Sequence, residues 1–262
     1  MLYCTHMASL SELRSVRLEK LHVLEQSGMS AYPASVPKTH NLIDLIRDFN
    51  SIQQSGETVS VVGRITSLRG QGAIMFATLF DGTERFQVVF KRDSIEPSLF
   101  TLFTDAIDLG DFISVTGTLF TTERGAQSVL CTDWTIATKS LLPIPSEHYG
   151  LENVEEKMRK RYLDAIVNPD VYNLFKTRSS VIKYIREFFD SRDFMEIETP
   201  ILQNQAGGAM AKTFNTHHND YDLDMVLRIS LELEHKMMMT AGYQRIYEIG
   251  KNFRNEGSDP TH

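Results

Sequence analysis

Phe253-Arg254-Asn255-Glu256 sets a guanidinium, an amide and a carboxylate directly after an apolar stretch, and Thr261 and His262 add a hydroxyl and an imidazole soon afterwards. A planar guanidinium can reach two anions at once through its fork of donors, which suits phosphate. On its own, Arg254 is equally well explained as an ordinary surface arginine. Glu232 and Glu234 could meet an ammonium group, because a point charge in a low-dielectric pocket needs a partner. A solvated helix face is the plain alternative, above all for Glu234, which a helix turns to another side. Gly207-Gly208 would let a backbone close over a ligand, or would simply make a turn. His217-His218 is a poor metal pair, since neighbours on a strand point to opposite faces. Cys4 and Cys131 fit no metal spacing and could form at most one disulfide. A second group of interest is basic. Between Val59 and Arg92, five cations (Arg64, Arg69, Arg85, Lys91 and Arg92) face two carboxylates, inside a chain of net charge −7. Phe76 and Gln87 lie in the same stretch.

The elements that would position these groups follow from periodicity. Residues 9–27 are predicted to form a helix, with Ser9 or Ser11 as cap, Leu10, Leu13, Leu21 and Leu24 at helical spacing, and Gly28 as the stop. Residues 31–40 carry two prolines and read as a connector. From 59 to 138 the period changes to five short runs rich in β-branched and aromatic residues, with Asp81-Gly82-Thr83 as a hairpin turn and a helix around 95–104. Five strands with a helix after the third suit a small Greek-key barrel, and equally any small barrel or sandwich. Residues 138–169 read as a proline-bearing linker and a charged helix. Val171, Leu174, Phe175, Val181, Ile182, Ile185, Phe188 and Phe189 then form one apolar stripe of a long helix. "FMEIETPIL" reads as a strand whose Pro200 belongs at an edge or interface. A helix over 229–241 and a strand "RIYEIGKNFRNE" follow.

Composition narrows the class. Apolar content of 42% and charged content of 23% are ordinary for a globular protein, and 262 residues favour two domains. No apolar run approaches the ~18 residues of a membrane span, and the first twenty residues lack a secretory pattern. A reduced, cytoplasmic protein is expected. The acidic balance argues against a general nucleic-acid coat protein while leaving room for a local basic face.

Four segments in this order, "RKRYLD" (159–164), "EIETPIL" (196–202), "GGAMAKTFNTHHN" (207–219) and "YEIGKNFRNEG" (247–257), resemble the class II lysyl-tRNA synthetases, and the resemblance covers essentially the whole chain. It implies an α+β protein: a five-stranded OB-fold β-barrel, then an incomplete class II synthetase catalytic domain built on an antiparallel sheet. The implied divisions are a helical extension (1–50), an anticodon-binding barrel (51–145), a linker (146–168) and the N-terminal part of the catalytic domain (169–262). The last would hold motif 1, the homodimer interface with Phe188 and Pro200, and the first arm of motif 2, with the chain stopping inside the motif 2 loop.

The implied activity is ATP-dependent ligation of L-lysine to tRNA(Lys) through a lysyl-adenylate. By the same resemblance, Arg254 is the catalytic guanidinium at the α-phosphate. Asn255, Glu256, Thr261 and His262 join it in holding ATP, and Gly208, Glu232 and Glu256 hold lysine. Arg64, Arg69, Phe76 and Gln87 meet the anticodon, Phe76 by stacking and Gln87 at a base edge. Mg²⁺ would be held by ATP phosphates and by acidic residues beyond this chain, so no metal ligand is expected within it. Two positions depart from the family pattern. Leu231 stands where a proline usually precedes the glutamate. Ala126 follows Gly125 where a glutamate is usual, which would remove an anticodon contact or shift it to Gln127. An aspartyl- or asparaginyl-tRNA synthetase, and a non-catalytic tRNA-binding or dimerisation module, are the competing readings.

This polypeptide alone is expected to form no lysyl-tRNA, which a direct aminoacylation assay checks. Phe76→Ala is expected to weaken tRNA binding by ~1–3 kcal/mol, the usual worth of a stacked base; an unchanged affinity would return Phe76 to the core.

Overall fold

The structure is a computed structural model that describes residues 9–145, 151 and 153–257. The chain divides between Val167 and Asn168 into two compact units.

The first unit opens with helix α1 (Leu10–Gln26), held at its start by a capping box in which the Ser9 hydroxyl accepts from the Glu12 amide and Glu12 accepts from the Ser9 amide. The stripe that packs is not the full leucine series. Leu21 and Leu24 are buried with Arg17, at i, i+4 and i+7, while Leu10 and Leu13 remain exposed. Arg17 belongs in the stripe because its guanidinium donates to the carbonyls of Leu109, Ser140 and Leu142 at 2.9, 2.8 and 3.3 Å. Two short helices not foreseen from the sequence follow, α2 (Leu42–Arg47) and α3 (Phe49–Ser55). Their apolar residues are too few to show a period. Asp81 of the hairpin turn caps α2 by accepting from the Leu42 amide at 2.8 Å.

The five expected strands are all present: β1 (Thr58–Gln71), β2 (Ile74–Phe80), β3 (Arg85–Lys91), β4 (Phe112–Thr121) and β5 (Gln127–Thr138). They close into a barrel of order β1-β2-β3-β5-β4, with β3 and β5 paired in parallel and the other pairs antiparallel. Helix α4 (Pro97–Ala106) sits in sequence between β3 and β4 and sends Phe100 and Phe103 into the core. Phe103 stacks on Phe90 at 3.9 Å, and the Trp134 indole donates to the Leu99 carbonyl at 3.1 Å. Closure leaves the barrel no long edge, so its outward-facing residues are the ones available to a ligand.

Where β5 ends, Lys139 is fully buried. Its ammonium donates to Asp108 and Asp111 at 2.7 Å each and to the Ala106 carbonyl at 2.8 Å, which uses all three protons. Lys20 of α1 reaches the other oxygen of Asp108 at 2.6 Å, so one charge cluster ties the helix to the barrel. Helices α5 (Val154–Arg159) and α6 (Arg161–Val167) complete the unit.

The second unit begins with α7 (Pro169–Asp190), whose Asn168 caps the Asp170 amide. Much of its apolar stripe faces outward: Leu174 and Phe188 are 55% and 52% exposed. Phe189 turns the other way and stacks on Tyr247 at 4.7 Å. The sequence reading of two long strands needs correction. "FMEIETPIL" gives only β6 (Met195–Glu196) and β7 (Leu202–Gln203), with Pro200 between them and unable to donate to a ladder. β8 (Asn215–His218) and β9 (Leu223–Leu227) join β7 in an antiparallel sheet of order β7-β9-β8. Helix α8 spans Glu232–Thr240, shorter than expected: Leu231 is its N-cap residue, and the Glu232 amide donates to the Ser230 hydroxyl just ahead of it at 3.2 Å. In "RIYEIGKNFRNE" only β10 (Ile246–Tyr247) is a strand, and it pairs with β6 in parallel.

Lys139→Met is expected to destabilise the barrel unit by about 3–5 kcal/mol, because it leaves the buried Asp111 carboxylate without its cation. Urea unfolding followed by Trp134 fluorescence measures this, Trp134 being the chain's single tryptophan.

Candidate functional site

On the barrel, three of the four proposed anticodon residues meet. Phe76 on β2 lies opposite Arg69 on β1 in register, and the Arg69 guanidinium stands 5.6 Å from the Phe76 ring centroid. Arg69 also donates to Gln87 Oε1 at 2.9 Å, while Gln87 Nε2 donates to Ser128 Oγ at 2.9 Å. Ser128 is Gln87's register partner across the parallel β3–β5 pair. The two bonds fix the orientation of the amide, with its oxygen toward Arg69 and its nitrogen toward Ser128. Arg69, Phe76 and Gln87 line one open cavity of about 730 Å³, together with Val89, Lys91, Phe120 and the turn residues Thr122, Glu123, Arg124 and Ala126. Phe76 is half-buried, with its ring on this outer face. The core position on the neighbouring residue is taken by Ala77.

Arg64 is not among the residues lining this cavity. Its guanidinium stacks on Phe112 at 4.5 Å, and burial there lowers its pKa. Gln127, to which a lost contact could have moved, does not line the cavity either; Arg124 and Glu123 from the same turn do.

In the second unit, Gly208 and Glu232 come together. Gly208 adopts φ +79°, and a Cβ there would sit 3.0 Å from both the Glu232 Cβ and the Ser230 hydroxyl. Only a glycine fits this approach. Glu232 is exposed and pairs with Lys236 at 2.5 Å, whereas Glu234 faces Gln203, whose amide donates to it at 3.1 Å. The two carboxylates therefore diverge, as helical spacing requires.

The segment carrying Arg254 is held by backbone bonds rather than by a strand ladder. The Phe253 amide donates to the Arg228 carbonyl and the Asn255 amide to the Lys212 carbonyl, both at 2.9 Å. Arg254 and Glu256 are exposed and form no ion pair among the described residues. Thr261 and His262 lie outside the described residues. Phe188 packs under the Arg192 guanidinium at 3.7 Å, and Pro200 is exposed.

Sequence reasoning missed Arg228, which organises this unit. It is 3% exposed. Its guanidinium pairs with Glu248 at 2.7 Å and donates to the Lys251 carbonyl, the Thr199 carbonyl and the Thr199 hydroxyl. Gly250 leaves room for this, since a Cβ there would fall 2.4 Å from Arg228 Nη2. Glu248 also accepts from Thr199 at 2.7 Å and faces His235 at 3.3 Å. Burial would raise the Glu248 carboxyl, but these bonds, from Thr199, Arg228 and His235, hold it below its ordinary value. The available signal was a lone arginine ending an apolar strand and a lone glutamate inside another apolar run. Either could have been read as a surface charge.

Residues 153–262 match the family model described as tRNA synthetases class II (D, K and N), and residues 59–137 match one described as OB-fold nucleic acid binding domain. The chain is 41% identical over 252 residues to the lysine–tRNA ligase of Moorella thermoacetica, covering 96% of this chain and 51% of that protein. Over nearly its whole length the chain is similar to lysine–tRNA ligases. The enzyme of Roseiflexus castenholzii is 42% identical over 254 residues, covering 97% of this chain and 52% of that protein. That of Enterococcus faecalis is 39% identical over 262 residues, covering 98% and 52%. The chain thus spans about half the length of these ligases. The synthetase match contains Gly208, Glu232 and Arg254–Glu256, and the OB-fold match contains Arg64, Arg69, Phe76 and Gln87. Among the described residues no three His, Cys, Asp or Glu side chains converge on a position that could hold a metal ion. His217 is engaged with Asp224 at 2.9 Å, and His218 lies beside Tyr221.

Arg228→Leu is expected to strip Glu248 of its partner at a cost of about 3–5 kcal/mol to the second unit. Faster hydrogen exchange at the Phe253 amide reads the effect directly. The lowered pKa of Glu248 makes its contribution full above its unfolded value of about 4.3, and lost as pH falls through the folded value. The second unit is expected to open in acid, and Glu248→Gln to flatten that acid dependence in a pH series of exchange or unfolding.

Proposed function

We propose that this chain serves ATP-dependent ligation of L-lysine to tRNA(Lys), with the barrel reading the anticodon and the second unit supplying part of the adenylation site. The observation that carries it is the convergence of Arg69, Phe76 and Gln87 on one cavity of an OB barrel, in a chain homologous to lysine–tRNA ligases over 96% of its length. A ring, a cation beside it and an oriented amide are the parts needed to stack an unpaired base, neutralise its phosphate and read its edge.

The chemistry has two steps. A lysine carboxylate oxygen attacks the α-phosphorus of ATP, and pyrophosphate leaves. A ribose hydroxyl of tRNA then attacks the acyl carbon of the adenylate, and AMP leaves. In the first step two anions approach each other, and the exposed guanidinium of Arg254 lowers that repulsion by reaching both. Asn255 and Glu256, with Thr261 and His262, position ATP. Gly208, Ser230 and Glu232 form the wall against which the lysine ammonium sits, and Glu256 adds a second carboxylate. The bond from the Phe253 amide to the Arg228 carbonyl anchors the backbone next to Arg254. Mg²⁺ acts as a companion of the ATP phosphates; the described residues provide no site for it, and no step is assigned to it. The chain partners tRNA(Lys), lysine and ATP, pairs as a homodimer through the outward stripe of α7 with Phe188 and Pro200, and works in the cytoplasm. The domain divisions at 50, 145 and 168 are part of this reading.

Two assays test it. Fluorescence anisotropy with an anticodon stem-loop bearing a central uridine is expected to show binding by this chain that falls when that uridine becomes a purine. Lysine-dependent ATP–pyrophosphate exchange is expected in a chain continued to the length of its relatives and is expected to be lost in Arg254→Ala. Exchange with aspartate or asparagine would move the protein to a sister activity, and RNA binding without any exchange would make it a non-catalytic tRNA-binding module.

A further inference from the structure

The barrel cavity is larger than one base platform requires. Phe120 on β4 lines it as well as Phe76 on β2, and each ring has its own cation: Arg69 at 5.6 Å from Phe76 and the Lys91 ammonium at 5.7 Å from Phe120. The strand order β2-β3-β5-β4 puts the two rings three inter-strand steps apart, roughly 14 Å along the sheet at ~4.8 Å per step. Register places the fixed amide between them. Thr78 lies opposite Gln87, Gln87 opposite Ser128, and Ser128 opposite Phe120. Ser128 itself is fully buried, and Gln87 lines the cavity with an aromatic ring to either side.

Charge favours a polyanion across this surface. Arg69, Lys91 and Arg124 line the cavity against the single carboxylate of Glu123. The turn that closes the cavity beyond Phe120 lines it with Thr122, Glu123, Arg124 and the methyl group of Ala126. Phe120 is half-buried and lines the cavity. A ring held this way offers a rigid face at little cost in side-chain entropy.

Resting on the reading of this barrel as an RNA-binding surface, we propose that Phe120 is a second base-stacking platform, which takes the nucleobase adjacent to the one on Phe76 in a single-stranded RNA, with Lys91 and Arg124 meeting its phosphates. The barrel then grips consecutive nucleotides, one on each ring, with Gln87 facing the strand between them.

The test uses this chain and synthetic anticodon stem-loops in anisotropy titrations. Phe120→Leu removes the aromatic face while keeping an apolar side chain, and Phe120→Tyr restores the face. Circular dichroism confirms that both variants are folded. Phe120→Leu is expected to weaken binding roughly 5- to 150-fold, the range for one stacked base, and Phe120→Tyr to recover most of it. With an abasic site at one of the two nucleotides flanking the central one, the Leu variant is expected to bind as the parent does, because the stacked base is already gone. With the central nucleotide abasic, the penalty is expected to persist. Parent-like binding by Phe120→Leu to the intact stem-loop, or a penalty unchanged by either flanking abasic site, overturns the proposal. Absence of RNA binding by the parent chain overturns the reading beneath it, a result distinct from a Phe120-specific failure.

Discussion

The second unit depends on one buried cation. A guanidinium removed from water must have its charge matched and its donors met, or the group costs more than its packing returns. Arg228 meets that requirement with Glu248, the Lys251 carbonyl and both oxygens of Thr199. Those partners come from the segment around Pro200 and from the segment leading to Arg254. The sheets here are short, with β6, β7 and β10 of two residues each, so strand ladders alone could not hold these segments together. A charge that must be satisfied does so instead. The same need explains why Gly250 faces Nη2 and why the Phe253 amide ends on the Arg228 carbonyl.

The barrel unit solves its packing differently. Closure puts Phe86, Val88, Phe90, Val115, Val129 and Trp134 inside with Phe100 and Phe103 of α4, and turns the alternate residues outward. A period of two thereby divides each strand into structural and functional halves. Phe76, Gln87 and Phe120 lie on strands brought together from different parts of the sequence, and strand order brings them to one cavity. Lys139 marks the end of β5 with a fully buried charge paired to the equally buried Asp111, and through Asp108 it links β5 to α1.

Much of this was legible in advance. Short runs rich in β-branched and aromatic residues, separated by turn signals, revealed all five barrel strands, because such side chains suit a pleated, half-buried surface. A serine cap, Ser9 or Ser11, marked the start of α1, and the structure selects Ser9. In the second unit the long stripe of α7 was plain. The strands around it were misjudged, because "FMEIETPIL" and "RIYEIGKNFRNE" carry apolar residues that pack from irregular backbone as readily as from a ladder. Leu10 and Leu13 show the reverse error: helical spacing is necessary for a packed face but does not show how far the partner surface extends.

The sequence by itself determined α1, the five barrel strands, α4 and α7, the turn at Asp81-Gly82, the basic local charge of the barrel and, through four ordered segments, its resemblance to lysine–tRNA ligases. These are properties of neighbouring residues, and local sterics, hydrogen bonding and hydrophobic period suffice to set them. Tertiary structure alone decided that Arg69, Phe76 and Gln87 share a cavity while Arg64 stacks elsewhere. It alone decided that Gly208 closes on Glu232, and that Arg228 and Glu248 are one buried pair rather than two surface charges. The physical reason is that burial and pairing of a polar group depend on what the fold brings to it from a distance, and twenty residues of separation carry no local signal of that meeting.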